Sequence, residues 1–145
     1  MKDLSQPILI KLLIPIAYLL LTFAYFAYSM LHQVVLIHHW IGLIITIPAF
    51  ILWIVSRIQL GNAFTLAPKA KFLVQSGIYR KLRHPVYYFS IVAITGITIF
   101  TWSILMLIPL ILLVIVEVIR IKQEEKVLLQ RFGDEYVQYK NSTWF

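Results

Sequence analysis

The residues best suited to chemistry begin in a basic stretch, Ser76 to Tyr87, which is the longest polar interruption of a very apolar sequence. Within it, Pro85 suits the first position of a helix, because its fixed φ fits the helical turn and no N–H is needed there. His84 then occupies the cap. The N–H groups that follow, with Arg83 beside them, form a candidate site for a carboxylate or a phosphate. A basic membrane boundary followed by a proline-initiated helix explains the same residues without a ligand.

A second group of candidates is acidic and lies near the end of the last apolar run. Glu117 is the only carboxylate inside an apolar run, and with Arg120 and Glu124 it follows the spacing of one helix face. From the spacing alone, we expect a surface ion pair between Arg120 and Glu124. The helix is expected to stop at Gly133, and Asp134 is expected to open a short amphipathic helix.

The elements that must position these residues are predicted to be membrane helices. The chain has 145 residues, of which 61% are hydrophobic, and it has no cysteine. This composition is too apolar for a soluble domain. All 13 lysines and arginines fall on one side of the apolar runs. The positive-inside rule therefore predicts that both termini and the basic stretch are cytoplasmic. We interpret the net charge of +7 as contact with anionic lipid headgroups, not with nucleic acid.

The predicted fold is all-α: a polytopic membrane protein of about four transmembrane helices that form a single membrane domain over residues 1–145. Residues 1–58 are predicted to form an N-terminal helical hairpin, with spans at roughly Pro7 to Leu31 and Val34 to Ser56. Residues 59–145 carry both groups of candidates, on a tight helical hairpin followed by a cytoplasmic amphipathic helix.

Two further patterns limit the possible function. His32, His38 and His39 lie at the far interface without a nearby carboxylate or cysteine, so we interpret them as solvated residues and predict no metal site. The five glycines form no G-x-G-x-x-G motif, which excludes a soluble Rossmann-type nucleotide-binding domain.

Taken together, two motifs resemble those of a known family. They read Ser76-Gly77-Ile78-Tyr79-x3-Arg83-His84-Pro85-x-Tyr87 and Arg120-x3-Glu124-Glu125-x2-Leu128-x3-Phe132-Gly133-x2-Tyr136-x2-Tyr139. The pair, which covers roughly Leu60 to Lys140, resembles the isoprenylcysteine carboxyl methyltransferase family and its phospholipid methyltransferase relatives.

The resemblance implies an integral membrane methyltransferase that uses S-adenosylmethionine and acts on a hydrophobic or lipid-like acceptor in the bilayer. By family position, Arg120 would orient the acceptor. The family commonly has His where Lys71 stands and Gly where Phe89 stands. The residues that the resemblance places at the cofactor are Lys71, Phe72, Leu73, Val74, Tyr79, His84, Pro85, Val86, Tyr87, Glu124 and Glu125.

Two other readings explain part of the sequence. Membrane sterol and enone reductases, which bind NADPH, resemble the same His-Pro-x-Tyr element, but their second motif usually reads Asp-Glu with a Cys and a Tyr-Gly-x-x-Trp. This chain has Glu124-Glu125 and no Cys, which favours methyl transfer. A non-catalytic membrane scaffold explains the topology but not the paired motifs. The sequence leaves open whether the acceptor is a prenylated cysteine, a phospholipid amine, or a small hydrophobic thiol or acid.

Overall fold

The structure is a computed structural model that describes residues 20, 23–29, 31, 36–61 and 73–144. Within these residues all regular secondary structure is helical and no strand is present, which confirms the predicted all-α class. The helices are α1 (Ile37–Leu60), α2 (Pro85–Thr101), α3 (Leu107–Phe132) and α4 (Asp134–Ser142), with short 3-10 turns at Gly77–Arg80 and Ile104–Met106.

Two helical segments of the described part are long and apolar enough to cross a membrane, namely Ile37–Leu60 and Ile104–Phe132. At 1.5 Å per residue, α1 alone reaches about 36 Å, which exceeds the roughly 30 Å of a bilayer core. Helix α2 is apolar but shorter, with 17 residues. The first predicted span, Pro7 to Leu31, lies largely outside the described residues, so a count of four spans stays a prediction.

Helices α1 and α2 are antiparallel and pack closely through small residues. A Cβ atom added to Gly42 would lie 2.5 Å from Cβ of Phe100 and 2.7 Å from the carbonyl oxygen of Gly96. One turn along, the Thr46 hydroxyl donates a 3.4 Å hydrogen bond to the carbonyl oxygen of Ala93. Small residues at a membrane helix interface let two backbones approach closely, so this contact fixes α2 against α1.

The helix boundaries follow local signals in the sequence. Pro85 is the first residue of α2 and His84 is its cap, as predicted. The predicted tight hairpin is present, because Trp102 (φ +48°) ends α2 and its N–H donates to the carbonyl oxygen of Thr98 at 3.1 Å. Gly133 (φ +50°) ends α3 in a conformation that favours glycine, and α4 begins at Asp134, as predicted.

One boundary differs from the prediction. The second span was expected to end at Ser56, with Arg57 opening the loop, but α1 continues to Leu60 and ends at Gly61 (φ +48°). The physical reason is that the extra turn contacts the loop: Leu60 packs against the buried cluster of Trp53, Tyr79 and Val86, and Oε1 of Gln59 accepts a 2.8 Å hydrogen bond from the N–H of Ile78. The extra turn of α1 is therefore stabilised by contacts to residues distant in sequence.

Candidate functional site

The site lies at the basic end of the helices, where the first residue before α2 meets the last turns of α3. The ring of His84 is buried, with 3% of the side chain exposed, and points at two carboxylates. Its Nδ1 lies 3.5 Å from Oε2 of Glu124, and its Nε2 lies 3.6 Å from Oε1 of Glu125. The antiparallel α2–α3 hairpin thus brings the two sequence motifs together.

Two cationic side chains, those of Arg83 and Lys140, surround Glu125. Nη1 of Arg83 lies 3.2 Å from Oε1 of Glu125, and Nζ of Lys140 donates a 3.2 Å hydrogen bond to its Oε2. Lys140 reaches this position because Gly133 reverses the chain, so that α4 folds back beside the end of α3. We call the five residues Arg83, His84, Glu124, Glu125 and Lys140 the charged cluster.

Several buried polar atoms in and beside the charged cluster have unused hydrogen-bonding capacity. Among the residues that the structure describes, no hydrogen-bond partner is present for Nε of Arg83, Nε2 of His84, Oε2 of Glu124 or the hydroxyl of Tyr136. Buried polar groups in proteins are rarely left in this state, because each loses its bonds to water without replacement. The arrangement has both donors and acceptors to offer, which suits a ligand that carries charges of both signs.

The start of α2 has fewer free backbone N–H groups to bind an anion than the sequence indicates. Pro85 has no N–H, and the N–H groups of Tyr87 and Tyr88 both donate to the carbonyl oxygen of His84, at 3.1 and 3.2 Å. Three of the first four helical positions therefore have no free N–H, and the expected row of backbone donors is absent there. Anion binding at this helix start would fall to the side chains of Arg83 and His84.

Two tyrosines, Tyr79 and Tyr139, hold the loop that leads to His84, and a third, Tyr136, is buried next to Tyr139. The hydroxyl of Tyr139 donates to the carbonyl oxygen of Tyr79, and the hydroxyl of Tyr79 donates to the carbonyl oxygen of Ser56 at 3.3 Å. Burial raises the pKa of Tyr79, and the negative charge of Glu124 adds to the effect. Burial likewise raises the pKa of Tyr136, with Glu125 adding to it. All of these hydroxyls are therefore protonated donors at neutral pH.

Other residues implied by the resemblance belong to two hydrophobic clusters. Leu73 packs against buried Leu128, Tyr136 and Tyr139. Val74 and Tyr87 pack against the cluster of Trp53, Tyr79 and Val86, and Phe89 joins them there. Pro85 is fully buried. Lys71 and Phe72 lie outside the described residues, so their assignment to the cofactor stays a prediction.

Arg120 differs from the expectation drawn from spacing. Its Nη1 lies 4.0 Å from Oε2 of Glu117, one turn earlier, so its ion pair in the structure is with Glu117 and not with Glu124. The physical reason is that α2 lies across from this face, and its cap residue His84 faces Glu124 instead. Arg120 itself is about half exposed, with 49% of its side chain accessible.

Sequence reasoning missed Lys140 and gave no separate role to Tyr136. Lys140 had no signal, because its approach to Glu125 depends on the turn at Gly133. Tyr136 is part of the second motif and shares a face of α4 with Tyr139, a spacing that indicates a buried side chain. Arg83 was noted only beside an expected anion site, whereas the structure pairs it with Glu125.

At the far end of the helices the prediction that the histidines are solvated is wrong for His39, which is buried with 5% exposed, because it packs against Phe100 and bonds to the backbone. His32 lies outside the described residues. Nδ1 of His39 accepts a 3.2 Å hydrogen bond from the N–H of Leu36 at the start of α1. The ring of His38 stacks on Trp102 at 5.2 Å between centroids. Within the described part of the chain, no group of three His, Cys, Asp or Glu side chains is arranged to hold a metal ion.

Comparison with known proteins agrees with the two motifs. The family model described as phospholipid methyltransferase matches residues 37–135, which include α1, α2, α3 and the charged cluster except Lys140. No curated protein and no solved structure matches the chain. The matched region covers more than half of the chain and contains the first motif and the second motif as far as Gly133. The protein therefore belongs to the phospholipid methyltransferase family, which is a family of membrane methyltransferases.

Proposed function

We propose that the protein transfers a methyl group from S-adenosylmethionine to a hydrophobic or lipid-like acceptor, with the charged cluster as the binding site for S-adenosylmethionine. The observation that carries the proposal is the buried His84 between Glu124 and Glu125, with neighbouring polar atoms that lack partners among the described residues. Family membership supports methyl transfer as the reaction.

The residue types of the charged cluster fit the charges of this methyl donor. S-adenosylmethionine supplies an electrophilic methyl group on a positively charged sulfonium, next to an amino and a carboxylate group. Glu124 and Glu125 would face the positive groups, and Glu124 has a free buried oxygen for a donor. Arg83 and His84 would hold the carboxylate, through the buried Nε and Nε2 atoms.

Methyl transfer from a sulfonium is a direct displacement, so these residues contribute by orienting and by excluding water more than by acid or base catalysis. Leu73, Val74 and Tyr87, which pack in the two hydrophobic clusters, would help to exclude water. The mostly exposed apolar face of α3 would let an acceptor approach from the bilayer.

We further propose a multi-pass arrangement with the charged cluster at the cytoplasmic surface. The lysines and arginines of the described residues gather at the end of α1, at the start of α2 and beyond the apolar part of α3. The antiparallel helices bring these positions to one end of the molecule, as the positive-inside rule requires for the cytoplasmic side. Both termini would lie on that side if a further span precedes α1.

The test is a comparison of two ligands on the purified protein in detergent micelles or lipid nanodiscs. Calorimetry is expected to detect saturable binding of S-adenosylmethionine and of its demethylated product, and no binding of NADPH. Incubation with methyl-labelled S-adenosylmethionine and a lipid extract should move the label into the organic phase.

The His84→Ala variant, which removes the ring at the centre of the charged cluster, is the matched control and is expected to bind S-adenosylmethionine more weakly than wild type. Binding of NADPH without binding of S-adenosylmethionine would favour the reductase reading. Binding of neither ligand by a well-folded protein would favour a membrane scaffold and would contradict the proposal.

A further inference from the structure

The hydroxyl of Tyr136 in α4 is buried and has no hydrogen-bond partner among the described residues. Only 2% of Tyr136 is exposed, and its ring packs with Leu128 and Tyr139, beside Leu73 and Phe132. A buried hydroxyl that has lost its bonds to water without replacement destabilises the fold, and a phenylalanine would fill the same space without that cost. The hydroxyl therefore needs an explanation other than packing.

Tyr139, one turn later on the same helix, shows how the fold uses a hydroxyl at a neighbouring position. The two rings lie 6.3 Å apart between centroids and belong to the same hydrophobic cluster. The hydroxyl of Tyr139 donates a 2.6 Å hydrogen bond to the carbonyl oxygen of Tyr79, whereas that of Tyr136 donates to no described residue. Both tyrosines supply a ring to the core, but only Tyr139 uses its hydroxyl to hold the loop. The hydroxyl of Tyr136 is thus available to a ligand.

The nearby carboxylate of Glu125 is held by other side chains and does not satisfy this hydroxyl. Oε1 of Glu125 lies 3.2 Å from Nη1 of Arg83 and 3.6 Å from Nε2 of His84. Its Oε2 accepts a hydrogen bond from Lys140. Burial raises the pKa of Tyr136, and the negative charge of Glu125 adds to the rise. The hydroxyl is therefore uncharged at neutral pH and has one O–H to donate.

The guanidinium of Arg83 indicates which ligand group suits the hydroxyl of Tyr136. Arg83 lies close enough to Tyr136 for its positive charge to oppose the rise in the pKa of the tyrosine. The buried Nε of Arg83 also has no hydrogen-bond partner among the described residues. Two unused donors in one neighbourhood, one of them on a cation, fit a carboxylate, which can accept about four hydrogen bonds.

We propose that Tyr136 binds the carboxylate of the methyl donor, with its hydroxyl donating one hydrogen bond next to the guanidinium of Arg83. This inference rests on the proposed function and adds to it a residue of α4 that recognises the amino-acid part of the ligand. The positive groups of the ligand would instead face Glu124 and Glu125, because a carboxylate is a stronger partner for a cation than a neutral hydroxyl is. Tyr136 therefore discriminates between ligands by the presence of a carboxylate.

The test compares S-adenosylmethionine with its decarboxylated analogue, which keeps the nucleoside, the sulfonium and the amino group. Calorimetry in detergent micelles, with displacement titration for the weaker ligand, is expected to show that wild type binds S-adenosylmethionine more tightly. Tyr136→Phe should raise the dissociation constant for S-adenosylmethionine about tenfold, the effect of one hydrogen bond to a charged group. The dissociation constant for the decarboxylated analogue should stay nearly unchanged in this variant.

The melting temperature measured without ligand separates recognition from structure. Tyr136→Phe removes an unpaired hydroxyl and keeps the ring, so its melting temperature is expected to equal or exceed that of wild type. Tyr139→Phe, the matched variant on the same helix, breaks a hydrogen bond and is expected to melt at a lower temperature. Val137→Ala, on the exposed face of α4, is the control for both measurements and should behave as wild type.

A Tyr136→Phe protein that fails to fold, or that melts as low as Tyr139→Phe, would overturn the inference, because the hydroxyl would then have a structural role. Equal weakening of binding for both ligands would also overturn it. So would an unchanged dissociation constant for S-adenosylmethionine, although the proposed function would stand in both of these cases. A wild-type protein that does not bind S-adenosylmethionine would contradict both the function and the inference.

Discussion

The hydroxyl of Tyr139 donates a 2.6 Å hydrogen bond to the carbonyl oxygen of Tyr79 and so ties α4 to the loop that leads into α2. A second bond on the same side of the loop joins the N–H of Trp144 to the carbonyl oxygen of Lys81 at 2.9 Å. On the other side, Oε1 of Gln59 in α1 accepts from the N–H of Ile78 at 2.8 Å. The loop that carries Arg83 and His84 is thus held between α1 and α4, which fixes these two side chains in the charged cluster.

We expect Tyr139→Phe to loosen this loop. The variant keeps the ring but leaves a buried carbonyl oxygen without its donor, which costs about 1–3 kcal/mol. Burial raises the pKa of Tyr139 to about 12, with Arg83 opposing the rise and Glu124 adding to it, so the bond is intact throughout the neutral pH range. Thermal unfolding and binding of S-adenosylmethionine measure the effect. Val137→Ala, on the exposed face of α4, is the control, and equal behaviour of the two variants would contradict this role.

The contact between α1 and α2 gives a prediction about stability. Gly42→Ala would add a Cβ atom 2.7 Å from a backbone carbonyl oxygen of α2, which cannot move aside as a flexible side chain can. Forcing the helices apart is expected to cost about 1–3 kcal/mol, as in other overpacked interiors. Melting of the protein in detergent is the measurement, with Ile44→Ala on the exposed face of α1 as the control. A melting temperature unaffected by Gly42→Ala would mean that the helices are not in close contact.

The parts of the fold that the sequence predicts depend on local chemistry. Pro85 starts α2 because of its own φ, and Gly133 ends α3 because it adopts a positive φ readily. The pairing of Arg120 could not be predicted in this way, since Glu117 and Glu124 are both within one turn of it on the same face. That choice depends on His84, which belongs to another helix and faces Glu124.

The charged cluster was predicted only in part for the same reason. His84, Glu124 and Glu125 belong to motifs whose family resemblance indicates a common site. The approach of Lys140 to Glu125 depends on the direction in which α4 leaves Gly133. The end of α1 at Leu60 depends on packing of Leu60 against the cluster that contains Tyr79 and Val86. Neither the direction of α4 nor the residues that pack against the end of α1 can be predicted from the residue types near these positions.

Glu117 and Glu124, two of the three glutamates of α3, should differ in their effect on binding of the methyl donor. Glu124→Gln removes a charge with a free buried oxygen in the charged cluster, so we expect weaker binding of S-adenosylmethionine by about tenfold or more. Glu117→Gln, two turns away, should leave that binding nearly unchanged. Calorimetry on both variants tests the difference, and wild-type affinity in Glu124→Gln would show that the pocket has been assigned to the wrong residues.

The orientation in the membrane can be tested with single cysteines, because the chain has none. A cysteine at Lys126, beyond the apolar part of α3, is expected to be inaccessible to an impermeant maleimide outside intact cells. A cysteine at Trp102, which is 74% exposed in the α2–α3 turn, is expected to react. Permeabilised cells should label both positions. The reverse pattern in intact cells would place the charged cluster on the outer side.

The last prediction separates binding of the methyl donor from binding of the acceptor. His84 lies buried between Glu124 and Glu125, whereas Arg120 is half exposed and lies toward Glu117. His84→Ala should therefore raise the dissociation constant for S-adenosylmethionine. Loss of one buried polar contact would weaken the binding free energy by about 1–3 kcal/mol. Arg120→Ala should leave that constant nearly unchanged and lower methyl transfer, because a guanidinium that orients an acid group of the acceptor is removed.

Binding and turnover, measured on both variants and on the exposed control Lys122→Ala, decide between the two roles. Equal loss of affinity for the methyl donor in His84→Ala and Arg120→Ala would put Arg120 in the same pocket as His84, and no loss in either would reduce the His84-Pro85 pair to a membrane boundary.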